Sequence, residues 1–244
     1  MDRDLIRAFM TGTRHENMGP SAQRRGEPMP PAFTILGGEA GRVELPPPSA
    51  AELASLDFPA LLVRRASRRR YADAPLSREQ LSFLLWATQG RRGGGDRPAL
   101  RTVPSAGARH AFETLLDVRR VDGLAPGLYQ YEVMGHGLAA LAAEPDLAGR
   151  VTRACYDQDC VAGAAAVFLW AAVPERMCWR YAERGYRYLH LDAGHVCQNL
   201  YLACEALGLG TCAVAAYDDG ALDAALGLDG ETAFAIYLAP VGRL

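Results

Sequence analysis

Three residues at alternate positions in a basic stretch have side chains that could bind a phosphate. They are Arg65, Ser67 and Arg69, in the sequence RRASRRRY. In an extended segment alternate side chains point to the same side, so two guanidinium groups and one hydroxyl would face one ligand. The same arginines could instead complete a solvated helix end, where positive charge complements the helix dipole. The spacing leaves both interpretations open.

A second candidate is the stretch TVPSAGARH, residues 102–110, which places small and turn-forming residues directly before Arg109 and His110. Small residues let a backbone approach another surface closely, and Gly107 can adopt a positive φ without strain. The stretch therefore indicates either a tight surface turn or a loop that lies against a flat ligand.

A third candidate is a polar stripe of Asp192, His195 and Asn199 on a predicted helix whose apolar residues, Leu200 among them, point in most directions. Such a helix is expected to be buried on every side, where polar groups need partners. The stripe favours a hydrogen-bonded Asp–His pair at a subunit interface, and a catalytic Asp–His pair is the alternative. No serine lies in a nucleophile-elbow motif, so hydrolase chemistry has no support.

The segment around Arg180 and Tyr181 combines arginine, tyrosine and tryptophan, which indicates either core packing with polar tips or the rim of a pocket. The sequence alone leaves these two interpretations open.

The elements that would position these residues alternate irregularly between helix and strand, which favours an α+β fold. Ser77 and Gln80 form a capping-box pattern at the start of a helix. The apolar run AAVFLWAAV predicts a buried central strand, and TCAVAAY predicts another. Residues 1–50, rich in Pro, Gly and Arg, predict an irregular N-terminal arm, and residues 51–244 form the predicted domain. The arm either covers another surface, such as that of a partner subunit, or is partly disordered.

Composition narrows the classes of function. The net charge of −2 argues against a general nucleic-acid-binding protein. The chain contains no lysine, which excludes a lysine Schiff base and a Walker-type phosphate loop. The six cysteines form no C-x-x-C pair, so we expect buried thiols and no metal site. Without a signal peptide or a membrane-spanning run, a cytoplasmic protein is expected.

Taken in order, RxSxRxY, SREQLSFLLWATQG, TVPSAGARH, GLYQY, GYRYLHLDAGHVCQNLYLACEALGLG and LAPVG resemble the nitroreductase superfamily, and specifically its SagB-type dehydrogenase branch. The resemblance covers roughly residues 61–243. It implies a central, mostly antiparallel sheet flanked by helices, and a homodimer whose interface contains the long buried helix. It also implies two flavin mononucleotide (FMN) sites where the subunits meet.

The resemblance also assigns roles to individual residues. Arg65, Ser67 and Arg69 match the motif that holds the FMN phosphate and ribityl chain, and Arg243 could add a phosphate contact. The loop expected against the isoalloxazine ring and the strand end near the flavin N5 are both short runs of small residues. The loop positions implied are Pro104, Ser105, Ala106 and Gly107, and the strand-end positions are Val214, Ala215 and Ala216. Gln158 matches a recurrent glutamine that could reach the flavin.

Two enzymatic reactions are compatible with this resemblance. Most relatives pass a hydride from NADH or NADPH through FMN to a small acceptor such as a nitroaromatic or a quinone, in a ping-pong sequence. Some SagB-type members instead oxidise thiazoline or oxazoline rings of ribosomal peptides with the help of a Lys-Tyr pair. Arg180 and Tyr181 occupy that pair's position here, and arginine stays protonated, so Arg180 cannot act as the base. A flavin-binding protein without turnover is the third alternative.

Overall fold

A computed structural model describes residues 3–49, 57–93, 100–142 and 145–244 of the 244-residue chain. Its α-helices are α1 (Arg3–Gly12), α2 (Phe58–Arg64), α3 (Arg78–Gln89), α4 (Leu147–Ala154), α5 (Asp159–Ala162), α6 (Pro174–Tyr181), α7 (Gly185–Ala206) and α8 (Asp219–Leu226). Its strands are β1 (Glu39–Glu44), β2 (Phe112–Val118), β3 (Gly127–Glu132), β4 (Gly137–Leu141), β5 (Ala166–Ala172), β6 (Leu209–Thr211) and β7 (Phe234–Arg243).

The strands form one antiparallel sheet of seven strands in the order β1-β4-β3-β2-β5-β7-β6. β5 lies between β2 and β7 and is buried along its whole length, as its apolar sequence predicts. Its side chains alternate between two cores, because successive residues of a strand face opposite sides of a sheet. Phe168 and Trp170 join the core beneath α3 and α7, whereas Val167 and Leu169 join the core beneath α4 and α8. The predicted α+β architecture is confirmed.

The predicted start of α3 is also confirmed. The Ser77 hydroxyl accepts a hydrogen bond from the Gln80 N–H (3.1 Å), and the Gln80 side chain accepts one from the Ser77 N–H (3.0 Å). This reciprocal pair satisfies two amide groups that the first turn of a helix leaves without partners.

The strand predicted over TCAVAAY is displaced toward the N-terminus. β6 ends at Thr211, and only Val214 pairs again with the sheet, through Leu238. The physical reason is the Ala213 N–H, which donates to the hydroxyl of Tyr201 (2.7 Å) and is therefore lost to the strand ladder.

The N-terminal segment differs from the irregular arm that the sequence predicts. β1 pairs with β4 and forms one edge of the sheet. The Thr34 N–H donates to Glu113 (2.8 Å) and the Leu36 N–H donates to Gln130 (2.8 Å), so this part of the segment covers the chain's own sheet. Both partners lie more than 70 positions away, beyond the reach of local sequence patterns. Residues 50–56, where the predicted boundary between arm and domain falls, lie outside the described residues.

Candidate functional site

The stretch that contains Arg65, Ser67 and Arg69 leaves α2 and runs along the β6 edge of the sheet. The Arg68 N–H donates to the Thr211 carbonyl (2.9 Å), and the Ala72 N–H donates to the Arg243 carbonyl (2.8 Å). Backbone hydrogen bonds therefore fix the stretch at its middle and directly after its end.

Two glycines of the sheet allow this close approach. A Cβ atom at Gly242 would lie 2.6 Å from the Cβ of Tyr71, and one at Gly210 would lie 2.9 Å from the Cβ of Arg68. Real Cβ atoms do not approach this closely, so larger residues would push the basic stretch away from the sheet.

Tyr201 of α7 organises the start of the basic stretch, and sequence reasoning missed it. Its hydroxyl lies 2.9 Å from the Ser67 Oγ, and its ring lies 5.3 Å from the Arg65 guanidinium carbon. The only sequence signal was a tyrosine hydroxyl on a largely apolar helix, where a buried hydroxyl needs a partner. We call Arg65, Ser67, Arg69, Tyr201 and Arg243 the basic cluster.

The arginines of the basic cluster are free to bind an anion. Among the residues that the structure describes, Arg65, Arg69 and Arg243 form no ion pair with a carboxylate. A neighbouring arginine does form such a pair, since the Nε of Arg64 lies 3.3 Å from the Oε1 of Glu205. Guanidinium groups without counter-charges suit a phosphate, so these residues fit the anionic end of FMN.

The strand end at residues 214–216 is held in place by Gln158. Val214 is buried and exchanges backbone hydrogen bonds with Leu238 (2.8 and 3.3 Å), whereas Ala215 and Ala216 are exposed. The Gln158 amide donates to the Ala216 and Cys155 carbonyls, both at 3.0 Å. The structure therefore uses the side-chain amide of Gln158 within the chain, where it positions the strand end.

The loop at residues 104–107 is anchored by hydrogen bonds at its two central residues. The Ser105 hydroxyl accepts a hydrogen bond from the His110 N–H (2.9 Å), and the Ala106 N–H donates to the carboxylate of Asp192 (3.2 Å). Pro104 and Gly107 are exposed. We call residues 104–107 together with Asp192 the loop cluster.

Glycine suits position 107 for two reasons. Its φ of 55° lies in the left-handed region that favours glycine. A Cβ atom there would lie 2.5 Å from the Tyr181 hydroxyl and 2.8 Å from the Cδ of Arg180. The small residue thus lets the loop contact Arg180 and Tyr181, so the structure brings the predicted loop and the predicted catalytic pair together.

Asp192 fixes this loop rather than forming an Asp–His hydrogen bond. Burial raises the pKa of its carboxyl group, and the hydrogen bonds from Ser105 and Ala106 oppose that rise. The Nδ1 of His195 lies 3.8 Å from the carboxylate, which is beyond hydrogen-bond distance, and Asn199 donates to the Ala87 carbonyl (2.9 Å). The polar stripe therefore attaches α7 to the loop and to α3.

Tyr181 ends α6 in a constrained position. Its ring meets that of Tyr188 edge-on, with the centroids 4.8 Å apart, and the Arg180 guanidinium carbon lies 5.7 Å from the Tyr181 ring. The next residue, Ala182, has φ 46° and ψ −142°, a conformation that strains any residue with a side chain. Such strain persists only where surrounding contacts enforce it, so the position of Tyr181 is strongly determined.

The basic cluster and the loop cluster lie on different sides of α7. Asp192 and Tyr201 are nine positions apart, which corresponds to opposite faces and to about 13.5 Å along a helix axis. The helix face between them is exposed, including Leu191 (59% exposed), Gly194 and His195. α7 is therefore not buried on every side within one chain, as the sequence suggested, and Leu200 points into the chain's own core.

Within the described ranges, no three side chains of His, Cys, Asp or Glu are placed so as to hold a metal ion. None of the helices in those ranges has both the length and the apolar character needed to span a bilayer.

Comparison with known proteins identifies the chain's relatives. The model of the nitroreductase family matches residues 62–243. A Methanocaldococcus jannaschii protein named as a nitroreductase is 34% identical over 84% of this chain and 98% of its own length. Trifolitoxin-processing protein TfxB of Rhizobium leguminosarum bv. trifolii is 32% identical, but the match covers 45% of this chain and only 30% of that protein.

Solved structures share the fold. A protein from Anabaena variabilis, described as a nitroreductase, has a TM-score of 0.69 at 27% identity and covers 83% of this chain and 41% of its own. A chain of the Escherichia coli microcin synthetase McbBCD complex, with truncated pro-MccB17 bound, has a TM-score of 0.66 at 18% identity and covers 100% of this chain and 94% of its own. A Desulfovibrio desulfuricans neighbour solved in complex with FMN has a TM-score of 0.55 at 19% identity and covers 78% of this chain and 87% of its own.

Proposed function

The chain belongs to the nitroreductase family, and from this premise we propose that it is an FMN-dependent oxidoreductase. In this proposal it transfers a hydride from NADH or NADPH to a small organic acceptor of the nitroaromatic or quinone type. The observation that carries the proposal is the set of arginines without counter-charges in the basic cluster, beside the exposed strand end at residues 214–216. The family relationship and the FMN-bound neighbour support the choice of cofactor.

Each part of the site has a distinct role in binding FMN. Arg65, Ser67, Arg69 and Arg243 would hold the phosphate and the ribityl chain through charge-assisted hydrogen bonds. Ala215 and Ala216 have only methyl side chains, so the backbone at the strand end provides contacts with the ring, and Gln158 keeps that backbone in position. When bound, FMN accepts a hydride from one molecule and passes it to the next.

We further propose that the site is composite and that the protein acts as a homodimer. The basic cluster and the loop cluster flank the exposed face of α7 on its two sides. A second copy of α7 packed antiparallel on that face would bring the loop cluster of one chain toward the basic cluster of the other. Gly194 lies within this face, and a Cβ atom added to it would have no neighbouring atom of the same chain within 4 Å. Because glycine has no side chain, a second helix could pack closely at this position.

We propose that Tyr181 and Arg180 contact the substrate and take part in its reaction. The Tyr181 hydroxyl can donate or accept a proton at the bound substrate, and it lies beside the loop expected to contact FMN. Arg180 is exposed, so its guanidinium group can stabilise negative charge that develops on the substrate.

A second candidate is oxidation of azoline rings in a ribosomal peptide, as in SagB-type dehydrogenases. It is favoured by the similarity to a trifolitoxin-processing protein and by a fold shared along the whole chain with a subunit of a microcin synthetase. The presence of Arg180 where the azoline dehydrogenases have lysine argues against it, because a protonated guanidinium cannot remove a proton.

Spectroscopy under argon separates these candidates. The FMN-loaded protein should lose its visible absorption when NADPH or NADH is added and recover it when a nitroaromatic compound is added. A protein bleached only by an azoline peptide would support the second candidate, and one that stays oxidised with every donor would be a flavin-binding protein without turnover.

Variants of the basic stretch test where the flavin binds. Arg65→Ala should weaken FMN binding by about 2–3 kcal/mol, the scale of a lost charge-assisted contact. Arg70→Ala is the matched control, because Arg70 is exposed in the same stretch but lies out of register with Arg65. Equal FMN affinity in the two variants would remove Arg65 from the site.

A further inference from the structure

A cavity of about 330 Å³ lies next to the proposed catalytic pair, and the N-terminal segment forms most of its wall. Arg180, Tyr181 and Ala182 line one side. The other side consists of His15, Met18, Gly19, Ser21, Gln23 and Arg24. Tyr181 therefore contacts the loop cluster through Gly107 and also faces this cavity.

The N-terminal wall is attached on both sides of the cavity. Before it, Arg184 donates to the Thr13 carbonyl (3.0 Å) and Arg187 donates to the Thr13 hydroxyl (2.6 Å). Toward its end, the Gln23 N–H donates to the Trp179 carbonyl (2.8 Å), and after it the Trp179 indole donates to the Glu27 carbonyl (3.0 Å). Because these contacts reach α6 and α7 of the same chain, the wall has a defined position beside Tyr181.

The charged residues that line the cavity are all basic. Arg24 and Arg180 line it, His15 adds an imidazole, and no Asp or Glu is among its lining residues. Neither arginine forms an ion pair with a carboxylate in the described part of the chain. The adjoining cavity of about 980 Å³ has the opposite character, because Glu27, Glu175, Glu183 and Glu231 line it together with a single arginine.

We propose that the 330 Å³ cavity binds a negatively charged oxygen-bearing group of the molecule that reacts at Tyr181, and that Arg24 of the N-terminal segment determines this specificity. The inference rests on the proposed oxidoreductase function of the same site. A carboxylate on the oxidising substrate and a phosphate of NADPH share the required chemistry, since arginine forms paired hydrogen bonds with either group.

Binding and turnover experiments test the two possible sources of the anion. For the carboxylate, the FMN-loaded protein is titrated calorimetrically with benzoate and with its neutral counterpart benzamide, and 4-nitrobenzoate is compared with 4-nitrobenzamide by kcat/KM. For the phosphate, kcat/KM is compared between NADPH and NADH. For at least one of these pairs, we expect the wild-type protein to bind the more anionic member about tenfold more tightly or to turn it over with about tenfold higher kcat/KM.

Two variants with the same loss of charge separate Arg24 from a general electrostatic effect. Arg24→Gln should reduce the preference to about twofold or less, whereas Arg14→Gln, exposed on the same segment and outside the cavity, should retain it. Equal affinity for both members of each pair in the wild type, or equal effects of the two substitutions, would overturn the proposal. Benzoate binding requires no turnover, so its result tests the cavity even if no donor reduces the flavin. A flavin that stays oxidised with every donor would count against the oxidoreductase function alone.

Discussion

At the scale of single residues, three side chains hold the backbone of the proposed site in place. Asp192 fixes the loop at Ala106, Gln158 fixes the strand end at Ala216, and Tyr201 takes the Ala213 N–H. The sequence singled out both Asp192 and Gln158, but it indicated neither of these contacts. The partners of Asp192 and Gln158 lie 86 and 58 positions away, so no local pattern could have indicated them.

His110 gives a prediction about pH at this scale. Burial lowers its pKa to about 3, and Arg101 and Arg109 add to the effect. Between about pH 3 and pH 6.5 the unfolded chain therefore binds a proton that the folded chain does not, so stability falls as the pH falls through this range. His110→Asn removes the titrating group, and asparagine tolerates the positive φ of 45° at this position.

Urea unfolding at pH 7 and at pH 5 measures this effect. Between these pH values the wild type should lose up to about 2 kcal/mol more of its free energy of unfolding than His110→Asn does. Equal losses in the two proteins would show that His110 titrates normally in the folded state.

At the scale of secondary-structure elements, most of the fold was predictable because its elements carry local signals. The capping box at Ser77 and the continuous apolar run of β5 each specify an element without reference to the rest of the chain. β1 and β6 were not predictable in the same way. β1 consists of EAGRVE, a polar edge strand, and β6 ends where the hydroxyl of Tyr201 replaces a strand partner.

The exposed face of α7 gives a prediction at this scale. Leu191→Asp should prevent dimerisation, because each chain would then place an unpaired carboxylate in the proposed interface between two α7 helices. Met134→Asp is the control: Met134 is 57% exposed, similar to Leu191, but lies in the turn between β3 and β4. Leu200→Asp would not serve this purpose, since Leu200 is fully buried in its own chain and the substitution would disrupt the core.

Sedimentation velocity of the FMN-loaded variants provides the measurement. We expect Met134→Asp to sediment as a dimer and Leu191→Asp as a monomer with a retained circular dichroism spectrum. A dimeric Leu191→Asp protein would place the interface elsewhere.

At the scale of the whole molecule, the sheet supports one surface of the proposed site and the N-terminal segment supports another. Glu113 is buried on β2, where it accepts hydrogen bonds from Thr34 and from Arg176 (2.5 Å). Arg176 also donates to the Pro31 carbonyl (2.8 Å). These contacts attach the part of the N-terminal segment that follows the cavity wall to the centre of the sheet. The composition of the segment predicted irregular structure, and only the three-dimensional contacts show where it lies.

In the proposed dimer, FMN binds between two copies of the chain, with the basic cluster from one copy and the loop cluster from the other. In a homodimer of Arg65→Ala or of Asp192→Ala, both sites carry a lesion, so FMN binding should be weak. Asp192→Ala acts by leaving the Ala106 N–H without its partner.

The most direct test is a heterodimer of an Arg65→Ala chain with an Asp192→Ala chain, purified by two different affinity tags and titrated with FMN. If the site is composite, both lesions fall in one site and the other site is intact, so the heterodimer should bind one equivalent of FMN with wild-type affinity. If each site were built from a single chain, both sites would carry a lesion and no tight binding would remain, which would contradict the account.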